Sequence, residues 1–248
     1  MGDRADVDLS VLRKQMAALS GRAGQRNAGS ADERPVELLA VPRALAELLP
    51  HNGIARGSVV TVEGARSMVV ALIAAVSGAG GQVAVVGMPQ LSMLSAVQMG
   101  ADLSGIAVVD DPGPDPVEIG GILLDGMDLV VLGLGGVAVP PARAKVLAGR
   151  ARKQSAVLIV TGGRWPGAQL RLSTRVVAYQ QTPAVRQEGL RVTGYGRILG
   201  WRLQVCVEGR GQRPMISEID CRPGDGGDGS VRLSVVEQSL AMSLAVAN

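Results

Sequence analysis

The chain has no phenylalanine, two tryptophans, two tyrosines, two cysteines and one histidine among its 248 residues. So small a supply of His and Cys excludes a readable Cys/His metal site: Cys206 and Cys221 form no CxxC spacing, and His51 is the lone imidazole. It also leaves little material for Ser-His-Asp or Cys-His catalysis. His51 sits in the turn-like stretch PHNGI, where a solvated or capping role is expected, and the two cysteines read as ordinary reduced thiols. No apolar run reaches the roughly 18 uncharged residues of a membrane helix, because Asp125, Asp128 or paired glycines break every candidate. The first ten residues carry Asp3, Asp6 and Asp8 where a secretory signal would be basic and then apolar, so a cytoplasmic location without membrane partners is expected. Lysine is also scarce, with 3 against 22 arginines; genome base bias explains that imbalance as well as function does.

What is present is apolar bulk and an uneven charge distribution. Hydrophobic residues make up 47% of the chain, enough for one large α/β domain with tails. Residues 1–130 hold 9 basic and 15 acidic side chains, a net of −6, whereas residues 131–222 hold 15 and 4, a net of +11. A basic face of that kind meets nucleic acid or an acidic partner, or is simply solvated. Residues 1–36 read as an N-terminal helix, with Val7, Val11, Leu12, Met16 and Leu19 on one face, followed by a Gly/Ser/Arg-rich linker. That helix could pack on its own core, on a second copy or on another subunit. Residues 37–222 read as the core, and residues 223–248 as a Gly/Asp-rich linker with an amphipathic tail. In the tail Val235, Val236, Leu240 and Leu244 make an apolar helical stripe, with Val231 and Leu233 ahead of it, which either returns to the core or docks a partner.

Within the core, buried strands alternate with helices: Ser58–Glu63, then a helix Ser67–Ser77; Gln82–Gly87, then a helix Pro89–Gly100; Ile106–Val109, then a helix from about Pro116; Met127–Gly133, then a helix Ala142–Gln154; and Ala156–Thr161. Arg171–Tyr179 and the stretch GWRLQVCVEG alternate like half-exposed strands. The order predicts an α/β fold: a mostly parallel sheet flanked by helices with an antiparallel extension at its C-terminal end. Asp110, Asp111 and Asp115 cluster in a form that could bind a metal, but Asp beside Pro and Gly is ordinary turn chemistry, and a turn is expected.

The stretch GSVVTVEGARSMVVALIAAVSG organises the chain. A phosphate-binding loop needs a Gly-rich turn whose N–H groups cradle phosphates, a Lys for the β/γ-phosphates and a Ser or Thr for Mg²⁺. Here only Ala65, Arg66 and Ser67 separate Gly64 from an apolar helix, and the P-loop spacing counted from Gly64 puts Val69, Val70 and Ala71 where Gly, Lys and Ser/Thr belong. The sole rescue lets Arg66 and Ser67 stand in on a shortened loop, too short to build an anion nest.

The motif order SVVTVEG entering a helix, MGADLSGIAVVDDPGPDP, GMDLVVLG, AVLIVTGG, RLSTRVVAY and GWRLQVCVEG resembles the RecA core across about Gly53 to Gly209. In an active RecA-type ATPase a carboxylate follows the second strand; here the residues are Gly87, Met88, Pro89 and Gln90. An Asp ends the Walker B strand; here Gly133 does. The two DNA-binding loops would fall at Leu134–Pro141 and Gly162–Gln169, both short. The lost nucleotide site, short loops, leading LRKQ helix and Gly/Asp-rich tail beyond Cys221 are most similar to the actinobacterial ImuA-prime group, RecA-like accessory proteins of the mutasome.

That resemblance implies a role in damage-induced, error-prone translesion synthesis, nucleoid-associated during DNA damage. The implied partners are ImuB, an inactive Y-family polymerase relative, and, through it, an error-prone C-family replicative polymerase. The expectation is a non-catalytic adaptor with no cofactor, no metal and no catalytic residue, in which Gly64, Ala65, Arg66 and Ser67 are a degenerate phosphate loop. The competing expectation is a DNA-dependent ATPase or recombinase-like protein with an atypical loop. Candidate contacts to single-stranded or damaged DNA are Arg143, Lys145, Arg150, Arg152, Lys153, Arg164 and Trp165; the last two could stack on unpaired bases, unless Trp165 packs on the core. Candidate partner contacts are Val235, Val236, Leu240 and Leu244, and self-association is left open.

Overall fold

The computed structural model describes residues 36–181, 198–224 and 230–236. By its contacts the chain divides into two units, Met1–Val36 and Glu37–Asn248, and every element below belongs to the second. The expected helix at Val7–Ser20, the linker after it, and Leu240 and Leu244 lie outside the described residues. In chain order the elements are β1 (Leu38–Leu39), α1 (Arg43–Ala46), β2 (Ile54–Ala55), β3 (Val59–Gly64), α2 (Arg66–Gly78), β4 (Val83–Val86), α3 (Met93–Gln98), β5 (Ile106–Val109), α4 (Pro116–Leu123), β6 (Leu129–Gly133), α5 (Pro141–Gln154), β7 (Val157–Thr161), β8 (Leu170–Gln181), β9 (Ile198–Gly209), β10 (Met215–Pro223) and β11 (Val231–Val235).

β1 and β2 form a small antiparallel pair, and the other nine strands form one sheet in the order β11-β10-β9-β8-β3-β7-β6-β4-β5. From β8 to β5 the neighbours run parallel, as strands joined through crossover helices must. From β8 to β11 they are antiparallel. This is the α/β fold that the motif order predicts, a mostly parallel sheet with an antiparallel extension at its C-terminal end.

The apolar runs of the parallel strands serve two cores at once. Val60, Val62, Val83, Val85, Leu129, Val131, Val157 and Ile159 face Met68, Val69, Leu72, Ile73 and Val76 of α2. Their neighbours Ala84, Val86, Val130, Leu132, Leu158 and Val160 face Val117 of α4 and Ala144, Leu147 and Ala151 of α5. Burial on both faces is why these strands read as continuous hydrophobic runs rather than as alternating ones. In the extension the alternation returns. Leu203, Val205, Val207, Ile219 and Cys221 join the first core, and burial pushes the Cys221 thiol up to about 12, the neighbouring Asp220 carboxylate adding to the effect. On the opposite face Asp220 is buried beneath two guanidiniums, Arg202 Nε at 2.7 Å and Arg222 Nη2 at 2.6 Å.

Two expectations are corrected here. Of the tail expected either to return to the core or to dock a partner as a helical stripe, Val231–Val235 form the edge strand β11, antiparallel to β10 with Ile219 opposite Val235, so Val235 lies in a strand and not on a helix. Val231, Leu233 and Val235 pack against the first core, and the Val236 N–H donates to the Glu218 carbonyl at 2.9 Å. The period of two in VRLSV prevails because β10 presents an open edge whose backbone groups need partners. The boundary drawn at residue 223 therefore cuts a β-hairpin.

Candidate functional site

The carboxyl ends of β3, β4, β6 and β7 open onto a crevice of about 660 Å³, lined by Glu63, Gly64, Arg66, Gly87 to Leu91, Gly133, Gly135 and Thr161 to Arg164. In open α/β sheets this is where ligands bind. It is also where each part of an ATPase would stand, so the fit can be read from the geometry.

At β3 the strand ends on Gly64, Ala65 caps, and α2 begins at Arg66 with no side-chain cap. The space a phosphate loop would fill is taken by β8. The Ala65 N–H donates to Thr174 Oγ1 at 2.8 Å and is 3.2 Å from the Thr174 carbonyl oxygen, while Thr174 Oγ1 donates to the Glu63 carbonyl at 2.9 Å. Gly64 has φ +92°, and a Cβ on it would fall 1.7 Å from the Thr174 oxygen. An amide that a phosphate would need is thus already bound within the sheet, and the backbone is pressed against β8.

The Walker B position is closed in another way. A Cβ at Gly133 would lie 2.5 Å from the Gly87 carbonyl and 2.8 Å from Met88 Cγ. β4 and β6 approach too closely at this end for any side chain, an Asp included. With no lysine, no usable loop amide at Ala65 and no room for the metal-holding Asp, these residues do not fit a Mg²⁺-triphosphate, and no step through one is derived.

The crevice does gather charge. Arg66 on α2 and Arg164 after β7, far apart in sequence, line the same crevice, and both are exposed. Neither makes an ion pair among the described residues. Glu63 is the acidic residue in the lining. Ser67 is half-buried in the first turn of α2 and lies outside the lining.

Of the two roles open to Trp165, the structure takes core packing, which removes it from the candidate DNA contacts. It is 6% exposed and belongs to the second core, so its ring is not available to stack on bases. Its backbone neighbour Arg164 is bridged to Ala138, which turns the loop so that the indole points inward while Arg164 stays out.

The basic helix α5 is divided. Arg143 Nη2 pairs with Asp115 Oδ2 at 2.5 Å, and Arg150 grips both oxygens of Asp125 through Nε and Nη2. The Arg150 hydrogen bonds, helped by Gln154, hold the Asp125 carboxyl at about 2. Lys145, Arg152 and Lys153 are exposed and make no ion pair among the described residues. The Asp cluster acts as turn and cap: Asp111 accepts from the Gly113 N–H and Asp115 from the Glu118 N–H at the start of α4. His51 occupies a left-handed turn position with φ 58° and is exposed. Thr174, decisive at the loop, carries no local sequence signal, because its partners lie more than a hundred residues earlier in the chain.

Comparison with known proteins gives one family relationship and one distant structural likeness. The profile of the MT3502 N-terminal domain matches residues 47–167. A KaiC-like protein, PH0186, from Pyrococcus horikoshii OT3 superposes with a TM-score of 0.49 at 12% identity, over 80% of this chain and 99% of its own. The uncharacterized protein Rv3395c of Mycobacterium tuberculosis (strain ATCC 25618 / H37Rv) is 45% identical over 202 residues, which is 82% of this chain and 92% of that protein. The chain therefore belongs to one family with Rv3395c, and its residues 47–167 match the MT3502 N-terminal domain.

Proposed function

We propose that the protein is a non-catalytic RecA-like adaptor in damage-induced, error-prone translesion synthesis. In this reading it holds ImuB, and through ImuB the C-family polymerase, near single-stranded or damaged DNA. The observation that carries the reading is the bond from the Ala65 amide to Thr174, which puts a β-strand where a phosphate would sit. A scaffold that keeps its two buried cores while its phosphate loop is filled from within retains surfaces for binding and lacks the means to polarise a γ-phosphate. The mutasome role itself comes from the resemblance to the ImuA-prime group. The exposed Arg66 and Arg164 give the carboxyl edge a positive rim suited to a phosphodiester or a partner's carboxylates.

Three measurements test this. Calorimetric titration of ATP with Mg²⁺ is expected to give no saturable heat; micromolar binding that Arg66→Ala abolishes would overturn this reading in favour of a nucleotide-binding one. Co-purification with ImuB is expected from damaged cells, and a folded protein that never retains ImuB refutes the adaptor role. If DNA is touched directly, affinity for oligo-dT falls steeply with added salt, because phosphate contacts release counterions.

A further inference from the structure

The crevice at the carboxyl ends of β3, β4, β6 and β7 does not fit a Mg²⁺-triphosphate, yet it keeps an excess of positive charge. Arg66, in the first turn of α2, and Arg164, after β7, both line it. Neither guanidinium makes a hydrogen bond or ion pair among the described residues. Arg143 and Arg150 of α5 differ in this, since Asp115 and Asp125 neutralise them. Glu63 is the acidic side chain of the crevice lining, so two guanidiniums stand there against one carboxylate.

Arg164 is held by its backbone while its side chain is left free. Its N–H donates to the Val137 carbonyl at 3.2 Å, and its carbonyl accepts from the Val139 N–H at 3.0 Å. A Cβ on the neighbouring Gly163 would lie 2.4 Å from the Val137 oxygen and 2.5 Å from Leu134 Cβ, so the loops after β6 and β7 close on each other as bare backbone. The N–H groups of Gly135, Gly162 and Gly163 line the crevice and make no hydrogen bond among the described residues. Unpaired amides beside cations are the chemistry of an oxyanion site. Met88 and Leu91, partly buried against the first core, add an apolar wall.

The charge on each phosphorus decides the ligand. A triphosphate concentrates its charge on one short chain and needs a metal ion to share it. A phosphodiester carries a single negative charge, which one guanidinium matches through two parallel N–H donors. A side-chain carboxylate offers too few acceptor oxygens for two guanidiniums and the loop amides, whereas phosphodiesters repeated along a strand serve both cations at once. We infer that the crevice binds the backbone of a single nucleic-acid strand, one phosphodiester on Arg66 and one on Arg164, with no metal ion. This deepens the adaptor reading and rests on it for the strand being unpaired or damaged DNA. Binding is indifferent to sequence, because no aromatic ring in the lining stacks on bases. It is steeply salt-dependent, because charge carries it.

The probe is fluorescein-labelled oligo-dT of about twelve nucleotides, within the span of a single-strand site, read by anisotropy on the full chain with EDTA present. The double variant Arg66→Ala/Arg164→Ala is expected to weaken binding by about ten-fold or more and to flatten the slope of log affinity against log salt by about 1.4, the share of two phosphates on a single strand. Its urea midpoint should stay unchanged. Glu63→Gln removes the opposing carboxylate and is expected to tighten binding. Arg152→Ala/Lys153→Ala is the charge-matched control. It takes the same charge from the other end of α5, where a Cβ on Gly57, ahead of β3, would lie 3.0 Å from Arg152 Cα, and affinity should change by less than about two-fold.

No binding of oligo-dT, equal loss in the two double variants, or binding that EDTA abolishes overturns the inference. So does displacement of oligo-dT by micromolar dTMP, which would assign the crevice to a free nucleotide. Preference for a poly-glutamate peptide over oligo-dT also overturns it, in favour of an acidic partner. Pull-downs with ImuB read the adaptor proposal separately. A wild-type chain that retains ImuB but not oligo-dT removes this inference alone. One that holds oligo-dT through Arg66 and Arg164 but never retains ImuB removes the adaptor reading alone.

Discussion

The two ends of the parallel sheet are built to opposite specifications. At the amino end, Arg56 Nη1 donates to Asp128 Oδ1 at 2.6 Å, and the Gln82 N–H donates to Asp128 Oδ2 at 2.8 Å, so the loops before β3, β4 and β6 are tied to one carboxylate. At the carboxyl end, Arg66 and Arg164 make no such bond among the described residues, and backbone glycines line an open crevice. Structural charges are paired; charges kept for a ligand are left exposed. The contrast makes the carboxyl edge the candidate binding surface. What closes the phosphate position is β8, the one strand that runs parallel to β3 on one side and antiparallel to β9 on the other.

The strongest way to break that arrangement is Gly64→Ala. The new methyl would fall on the Thr174 carbonyl at a φ that L-residues avoid, so destabilisation of about 4 kcal/mol is expected from urea unfolding. A tolerated alanine would mean that β8 does not press on the loop. At the amino end, Asp128→Ala removes two hydrogen bonds and leaves the half-buried Arg56 unpaired, costing about 2 kcal/mol. The same carboxylate has a pH signature. Burial opposes its charge, but the Gln82 amide and Arg56 outweigh that and lower its pKa in the folded state. Its stabilisation is then fully present above the unfolded carboxylate value of about 4 and is lost as pH falls through the lower folded value. The urea midpoint of Asp128→Ala should therefore change less with pH in that window than the wild type's does.

The sequence carried much of this. The runs VAVV, LVVLG and VLIVT mark buried strands, and three residues between Gly64 and an apolar helix are visibly too few for a phosphate loop. The filling of that loop was not legible. Thr174 sits in RLSTRVVAY as one of several small polar residues, and only the pairing of Gly64 with Thr174 across the sheet gives it a role. The same limit explains β11: Val231, Leu233 and Val235 suit a strand, while Val235, Val236, Leu240 and Leu244 suit a helix. The choice is made by the free edge of β10, a strand whose mixed MISEIDCRP pattern gives little warning of itself. Trp165 was ambiguous for a related reason, since a Gly/Pro loop does not say which way its aromatic turns.

Two smaller perturbations sharpen the comparison. Thr174→Val keeps the shape of the side chain but removes a hydroxyl that accepts from Ala65 and donates to Glu63. A loss of about 1 kcal/mol is expected, because the Thr174 carbonyl still lies within reach of the Ala65 amide. If this variant gained micromolar affinity for Mg²⁺-ATP, the plug would be the sole obstacle to nucleotide. The expectation is that it does not, since Gly133 still admits no carboxylate.

Arg66→Ala and Arg164→Ala, alone or together, should change stability least, within about 0.5 kcal/mol, because neither guanidinium is tied to another residue of the described fold. Their effect belongs to binding. If the carboxyl edge receives a phosphodiester or an acidic partner, the double variant loses affinity while its urea midpoint stays put, and Asp128→Ala does the reverse. A double variant that unfolds easily would mean that these arginines hold the edge together, and the two ends of the sheet would then differ in composition but not in purpose.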